Sequence, residues 1–582
     1  MAVAAPPARR APGSPDLGTA ALLYCVLTLV LAWPLSVHPA SRMMWSGPDS
    51  ELYLWTLLWN THAATQNPVA FLDANICYPL RFALASTENL IGSTPFAAPV
   101  IWLTGNPVFA FNVVALVSCV LCGLGTYVLA RRLGLGHSSA LLAGAIFAFS
   151  PPRFGRIGQL HLTTVQWLPF GLAALHAYLD ERHRRHLWAA AGLFTLQALT
   201  SGHGAVFFLF AAAALVAWRI AMGERLDLLR RVRDFGVVGV LLLLPALALV
   251  VPYRAVQQEI GLRRILDETW WTDWRRPALS YVASPAHVPR FIASRFVDLS
   301  VIDQARSYLF PGLLPLLLAG AALVPWSRRG SQAAGRVRNV GRRLLEAVRE
   351  WRRSHVRDGK AFYAVLALAT LWLSAGAPIG PWPWLYSLPG FNFIRVPARF
   401  TILSLLALGI LAGFGFERLA SRAGRRARAW ASLAVAGALA AEFAMMPLPT
   451  VPYRLDIPAI DRWLATLPGP FVIAELPFSG ERDHTTYMLH STAHWQPTVN
   501  GYTGFRSPLH EELYPVVRRF LSQVSLEALT RLGVRYVVVH TERYAPDQWP
   551  LVEEAIGKMR DRLTLVRTEG TGRVYELTRP RE

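Results

Sequence analysis

Four carboxylates stand in the stretch 38–107: Asp49, Glu51, Asp73 and Glu88. A carboxylate held near a hydroxyl can take its proton as the oxygen attacks, which is general-base chemistry. Asp49 comes first, in MMWSGPDSELYLWTLLWNTHA, directly after an apolar run. Leu52, Trp55, Trp59 and His62 follow it at helical spacing. That pattern predicts an interfacial helix lying flat, with its aromatic rings at headgroup depth. The same Asp49 would also suit the cap of a helix beginning near Ser50, and spacing leaves both readings open.

A second polar group falls at 151–162, with Arg153, Arg156, Gln159 and His161, and Gln166 just beyond. His161 reads either as a metal ligand or substrate partner or as a ring bonded to a backbone carbonyl. His203, in the turn TSGHGA, faces the same side. Gln166 and Gln197 either line a substrate cavity or bond neighbouring helices to each other. A phosphate gains charge as it leaves, and the two-pronged arginine head matches two phosphate oxygens. Candidates are Arg263, Arg264, Arg275 and Arg276, beside Trp270, Trp271 and Trp274, and Arg395 and Arg399, which flank Pro397. The alternative for the loop arginines is charge snorkelling to headgroups. For Arg395 the surrounding FNFIRVPARF favours a phosphate contact. GxxxxGK, GxGxxG after a strand, HExxH and paired CxxC are all missing, so nucleotide-driven transport, dinucleotide chemistry and zinc-protease chemistry have no support.

The elements that must hold these residues are apolar. The chain has 582 residues, of which 53% are hydrophobic and only 16% charged, and its mean hydropathy is +0.32. Soluble domains carry about 25% charge, so the composition argues against a water-soluble multi-domain enzyme and for a membrane protein. Apolar runs near 17–37, 108–130, 138–150, 163–179, 187–201, 204–222, 234–253, 308–326, 361–378, 398–416 and 428–446 predict about eleven membrane spans. The segment 90–106 is a further span or a re-entrant piece.

Net charge is +21, but the arginines fall in alternate connections, including RRLGLGH, DERHRRH and the long loop 327–360. The positive-inside rule then places the amino terminus and those connections in the cytoplasm, and the carboxyl terminus outside. The charge is thus a membrane signature, with no nucleic-acid partner implied. Loop 327–360 reads as a cytoplasmic amphipathic helix on anionic headgroups.

The expected organisation is a flexible cytoplasmic leader at 1–16 and a transmembrane body at 17–446 with external loops 38–107, 151–162 and 254–307. Beyond it, the β-branched runs FVIAEL and RYVVVH, the hairpin-like LTLVRTEGTGRVYEL and the helical DRWLATL and SLEALTRL predict an external α/β domain over 447–582. The fold class is therefore mainly α, a polytopic helical bundle with a carboxyl-terminal α/β domain. Cys25, Cys77, Cys119 and Cys122 read as packing residues without a disulfide framework.

Taken in order, GPDSELYLW, NICYPL, STENL, FAFSPPRFGRIGQLHLTTVQWLP, PGFNFIRVPARF, TVNGYTGF and LGVRYVVVH resemble a family of bacterial multi-pass proteins in the GT-C class of membrane glycosyltransferases. The resemblance covers most of the chain. It implies an inverting enzyme at the outer face of a bacterial inner membrane that uses a polyprenyl-phosphate-linked sugar as donor. It also implies Asp49 as general base, with Glu88 as a second acidic residue of that loop. Many members of the class carry adjacent acidic residues at the first site, whereas here Pro48 precedes Asp49. Use of a divalent cation, Mg2+ or Mn2+ on Asp49, Glu88 and His161, is accordingly left open. A non-enzymatic glycolipid or polysaccharide transporter is the competing reading. Carriers more often place ionisable residues mid-helix and repeat their halves, and this chain does neither.

Overall fold

The computed structural model describes residues 14–44, 47–222, 228–259, 275–305, 307–324, 359–376, 379–387, 394–421, 423–504, 508–518 and 522–578. Each of the eleven apolar runs holds a helix among its described residues. In chain order, with the two helices of the first loop included, they are α1 Ser14–Leu31, α2 Pro48–Gln66, α3 Thr94–Thr104, α4 Pro107–Arg132, α5 His137–Phe149, α6 Trp167–Glu181, α7 Arg184–Thr200, α8 Gly202–Ala221, α9 Leu228–Glu259, α10 Leu313–Leu323, α11 Gly359–Ser374, α12 Thr401–Ala420 and α13 Arg425–Phe443. Among the described residues, three helical stretches are long and apolar enough to cross a membrane by themselves: Pro107–Arg132, Gly202–Ala221 and Pro397–Ala420. The bundle exposes Leu22, Leu29, Trp102, Leu209, Leu317 and Leu368. A belt of large apolar side chains facing outward is what a lipid environment accepts and water does not.

The Arg-rich connections meet at one end of the bundle. Arg131 approaches Asp16 at 3.7 Å, Arg132 and Arg219 both hold Asp180, at 3.2 and 2.7 Å, and Arg184 holds Asp234 at 2.6 Å. The Gly136 amide donates to Glu417 at 2.9 Å. Loop 327–360 lies outside the described residues, except for its last two positions.

The first loop and the carboxyl-terminal domain build the opposite end together. Strand β1 (Arg42–Met43) pairs antiparallel with β2 (Val451–Pro452). The domain's own sheet holds β3 Val472–Leu476, β4 Val534–His540, β5 Leu563–Glu569 and β6 Gly572–Leu577 in the order β3-β4-β6-β5, with β3 parallel to β4 and the remaining pairs antiparallel. The expected hairpin is β5–β6, turning at Gly570, whose φ of +56° suits a residue without a Cβ. Helices α14 Ala459–Leu464 and α15 Glu481–His490 flank the sheet. α15 carries Thr485, whose hydroxyl donates to Glu51 of α2.

One expectation is corrected here. Leu52, Trp55 and Trp59 of α2 are buried, and His62 stacks on Trp495 with ring centroids 4.1 Å apart. The helix lies between the bundle and the carboxyl-terminal domain, so its aromatic stripe packs against protein on both sides instead of resting at headgroup level. An apolar stripe reads the same in sequence whether lipid or protein covers it.

Candidate active site

α2 begins cleanly because Gly47 adopts φ +77°, a turn that a side chain would strain, and Pro48 fills the first helical position. Gly47, not Asp49, is the cap residue, and no side chain caps the helix. Asp49 stands in the first turn, where the helix dipole favours negative charge. Its Oδ1 accepts a hydrogen bond from the Tyr502 hydroxyl at 3.1 Å.

Two segments far apart in sequence bring Tyr502 there. The Cys77 amide donates to the Asn500 carbonyl at 3.0 Å, the Tyr78 amide to the Thr498 carbonyl at 2.9 Å, and the Thr498 amide to the Asn75 carbonyl at 2.8 Å. NICYPL and TVNGYTGF are therefore backbone partners. Gly501 permits the approach, since a Cβ there would lie 2.2 Å from Cys77 Sγ.

Burial pushes the Asp49 carboxyl above its ordinary range, and this outweighs the Tyr502 bond and the charge of Arg399. Glu481 adds to the push and Arg395 opposes it. A raised carboxyl is a stronger base, provided it is ionised at the working pH.

Glu88 is fully engaged. Gly202 N donates to its Oε2 at 2.6 Å, His203 N to its Oε1 at 3.3 Å, and the His203 Nδ1 also bonds Oε1. It thus sits at the amino terminus of α8, where free amides and the helix dipole hold an anion. Burial would raise its carboxyl, but the His203 ring and the amides of Gly202 and His203 outweigh that and bring it below the usual carboxylate range. The other ring nitrogen of His203 meets Arg399 Nη1. Because a guanidinium only donates, Nε2 is the acceptor and Nδ1 carries the proton toward Glu88. The result is a chain of contacts, Glu88 to His203 to Arg399, leading toward Asp49.

His161 lies inside this cluster. Its ring is 4.6 Å from Tyr53 and 5.8 Å from His203, centroid to centroid. Burial, with Arg399, His203 and Arg156 nearby, pushes it well below the ordinary histidine range, so it is neutral at neutral pH. Its buried Nδ1 has no hydrogen-bond partner among the described residues. Arg156 is lowered to about 10 by burial and by Arg399. A cavity of about 40 Å3 opens beside the cluster, lined by Arg153, Arg156, Arg399 and the apolar Phe207, Ile402 and Leu405.

Other residues singled out in the sequence go elsewhere. Gln166 accepts from Ser118 at 3.1 Å, and Gln197 donates to the Thr164 carbonyl at 2.9 Å, so both are engaged in joining elements of the bundle. Arg153 donates to the carbonyls of Ala148 and Thr163 at 2.7 and 2.8 Å and touches the sulfurs of Cys119 and Cys122. None of the four cysteines is in a disulfide. Arg395 is exposed. Arg263, Arg264 and Trp270 lie outside the described residues. Asp49, Glu88 and His161 do not offer converging ligand atoms as a trio, and Glu88 has both oxygens committed to the His203 turn. Sequence spacing did not single out Tyr502 or Tyr53, and Arg399 stood behind Arg395.

No family model matches the sequence, and neither does any curated protein. Among solved structures, the mycobacterial arabinofuranosyltransferase AftD superposes with a TM-score of 0.54 at 15% identity, over 98% of this chain. The chain shares the fold of AftD. It spans 40% of the length of AftD. The archaeal oligosaccharyltransferase AglB from Archaeoglobus fulgidus, solved with an inhibitory peptide and a dolichol-phosphate, aligns with a TM-score of 0.47 at 15% identity, over 93% of this chain and 72% of its own. Within this fold Asp49 heads α2, the helix that follows α1, and Glu88, His203 and Arg399 form one chain of contacts beside it.

Proposed function

We propose that this protein is an integral membrane glycosyltransferase that moves a sugar from a polyprenyl-phosphate donor to a hydroxyl outside the cytoplasm, with Asp49 as general base. The observation that carries the reading is the convergence of a half-buried carboxylate whose basicity burial raises with a half-buried arginine at the end of an apolar-walled cavity. The fold shared with AftD supports sugar transfer as the chemistry.

In this reading the acceptor oxygen bonds to the anomeric carbon as the bond from that carbon to the phosphate oxygen breaks. The hydroxyl proton passes to Asp49, and the lipid phosphate leaves carrying the bonding pair. Single displacement inverts the anomeric centre. Arg399, assisted by Arg156, meets the charge that grows on the leaving phosphate, and the apolar wall of Phe207, Ile402 and Leu405 takes the first segment of the lipid tail. Glu88 holds His203 so that His203 orients Arg399. Glu88 is therefore a positioning residue, which refines its role as a second catalytic carboxylate.

The reading requires that the end of the bundle carrying Asp49 and the carboxyl-terminal domain face away from the cytoplasm, with about eleven spans. A reporter fused after Glu582 is expected to be active only outside, and one placed within 327–360 only inside. The opposite pattern would put the site on the wrong side for this donor.

The transfer reaction is tested with purified protein in lipid, a polyprenyl-phosphate sugar and a panel of hydroxyl acceptors. Tyr502→Phe gives a signed result in that assay. The Tyr502 hydroxyl bonds the ionised carboxylate and lowers its pKa, so its removal raises the pKa of Asp49. A base works deprotonated, so the acidic limb of the kcat/KM profile should move to higher pH. A limb that stays in place would mean that a group other than Asp49 titrates.

A further inference from the structure

A second set of buried ionisable groups lies in the core of the carboxyl-terminal domain, apart from the transfer centre. Asp461 of α14, Glu475 of β3, His490 at the end of α15 and His540 at the end of β4 are 0%, 0%, 7% and 2% exposed. Neither carboxylate oxygen of Asp461 has a hydrogen-bond partner among the described residues, nor do Glu475 Oε1 and His490 Nδ1. A buried carboxylate with no hydrogen bond, and a second one held by His540 on one oxygen alone, are costly in a core, because burying an ionised group in a medium of low polarity forfeits its hydration. Fully buried acidic groups are paired or bound to a cation.

The atoms face one another at ligand spacing. Glu475, His490 and His540 each offer one ligand atom within 4.8 Å of the other two. His540 Nε2 lies 2.8 Å from Glu475 Oε2, and His490 Nδ1 lies 3.9 Å from Asp461 Oδ2. Bonds of about 2.0–2.2 Å to a tetrahedral ion put neighbouring ligand atoms roughly 3.3 Å apart, so small side-chain rotations close this set around one ion. The 3.9 Å pair is too long for a hydrogen bond. His494 stands differently. Its Nδ1 accepts from the Gln496 amide at 3.0 Å, so the neutral ring carries its proton on Nε2, which faces Asp461 Oδ1 at 3.7 Å. A ring with its proton there orients a carboxylate and does not ligate a metal.

We propose that Asp461, Glu475, His490 and His540 form a structural binding site for one divalent transition-metal ion of the zinc class, with His494 as the outer partner of Asp461. Two carboxylates and two neutral imidazoles around a doubly charged cation sum to zero charge, which suits a closed core. The ion would join α14, β3, α15 and β4. The segment it fixes also reaches the first loop, since Thr485 of α15 bonds Glu51 and Asn75 donates to Ser491 at 3.0 Å. A metal here would brace the surface on which Asp49 sits without touching the substrate.

The test uses the full-length protein in detergent. Wild type is expected to carry about one zinc ion per chain by elemental analysis, and stripping it with a strong chelator should lower its melting temperature. Asp461→Asn and His490→Gln should each hold at least about tenfold less zinc. Asp49→Asn should keep the full amount; its loss there would assign the ion to the first loop and overturn the proposal. Should the first two variants fail to fold, His490→Cys reloaded with cobalt decides. A sulfur-to-cobalt absorption band, missing in cobalt-loaded wild type, places the ion at position 490. Stripped wild type that takes up neither zinc nor cobalt, and melts as before, overturns the proposal, as does a cobalt-loaded Cys variant without that band.

Discussion

Asp49→Asn is expected to lower kcat/KM for sugar transfer by about a hundred- to ten-thousand-fold, the usual contribution of a positioned general base. The substitution keeps shape and an acceptor oxygen, so the Tyr502 hydroxyl retains its partner and the protein should melt and accumulate as wild type does. Gly47 and Pro48 start the helix and Asp49 does not cap it, so no capping energy is at stake. Glu51→Gln is the informative contrast. Glu51 lies two positions on, but its oxygens are bonded by Tyr453 and Thr485, so its loss should loosen the contact between α2 and the carboxyl-terminal domain and leave chemistry largely intact. Turnover near wild type in Asp49→Asn would remove Asp49 from the base role. A loss as severe in Glu51→Gln would show that the fold of this face, and not proton transfer, limits the reaction.

The bundle was legible in the sequence because apolar length is a strong signal. Eleven runs appear as eleven helices, and the ion pairs of Arg132, Arg184 and Arg219 gather the basic connections at one end. The β5–β6 hairpin was equally legible from its alternation around Gly570. Asp49 stood out as the first of four carboxylates in one loop, directly after an apolar run, whereas Glu88 was singled out through the family resemblance.

What escaped is long-range. Tyr502 reaches Asp49 only because residues 75–78 pair with 498–500 across more than 400 positions, and no local period encodes a pairing at that distance. α2 looked interfacial because Trp55 and Trp59 are placed as a membrane-surface stripe would place them, whereas the cover comes from the carboxyl-terminal domain. Gln166 and Gln197 read equally as cavity lining or as links between helices; here they bond Ser118 and the Thr164 carbonyl inside the bundle. Arg395 lies in irregular chain just before the short 3-10 turn Pro397–Phe400, which carries Arg399. That turn leaves Arg395 exposed and half-buries Arg399 against His203.

That turn also sets the second large effect. Arg399→Gln should lower kcat by about a hundred- to a thousand-fold, the scale seen when a donor that stabilises transition-state charge is removed. Arg399→Lys should recover only part of it. The ammonium supplies the charge, but it lacks the planar fork that can bond His203 with one nitrogen and a phosphate oxygen with another. Arg395 is exposed, and its charge favours the ionised form of Asp49. Arg395→Lys should therefore work nearly as wild type, and Arg395→Gln should chiefly raise KM for the donor. Glu88→Gln tests the chain of contacts behind Arg399. A neutral amide holds the His203 Nδ1 proton more weakly than a carboxylate does, so the His203 acceptor for Arg399 becomes less fixed, and the loss should fall between those of Arg399→Lys and Arg399→Gln, in kcat more than in KM. Donor-concentration kinetics on these variants separate the roles. If Arg395→Lys proves as damaging as Arg399→Gln while Arg399→Lys is harmless, the donor phosphate is gripped at the outer rim by Arg395, and the buried chain from Glu88 through His203 serves only to hold α8 against the turn before α12.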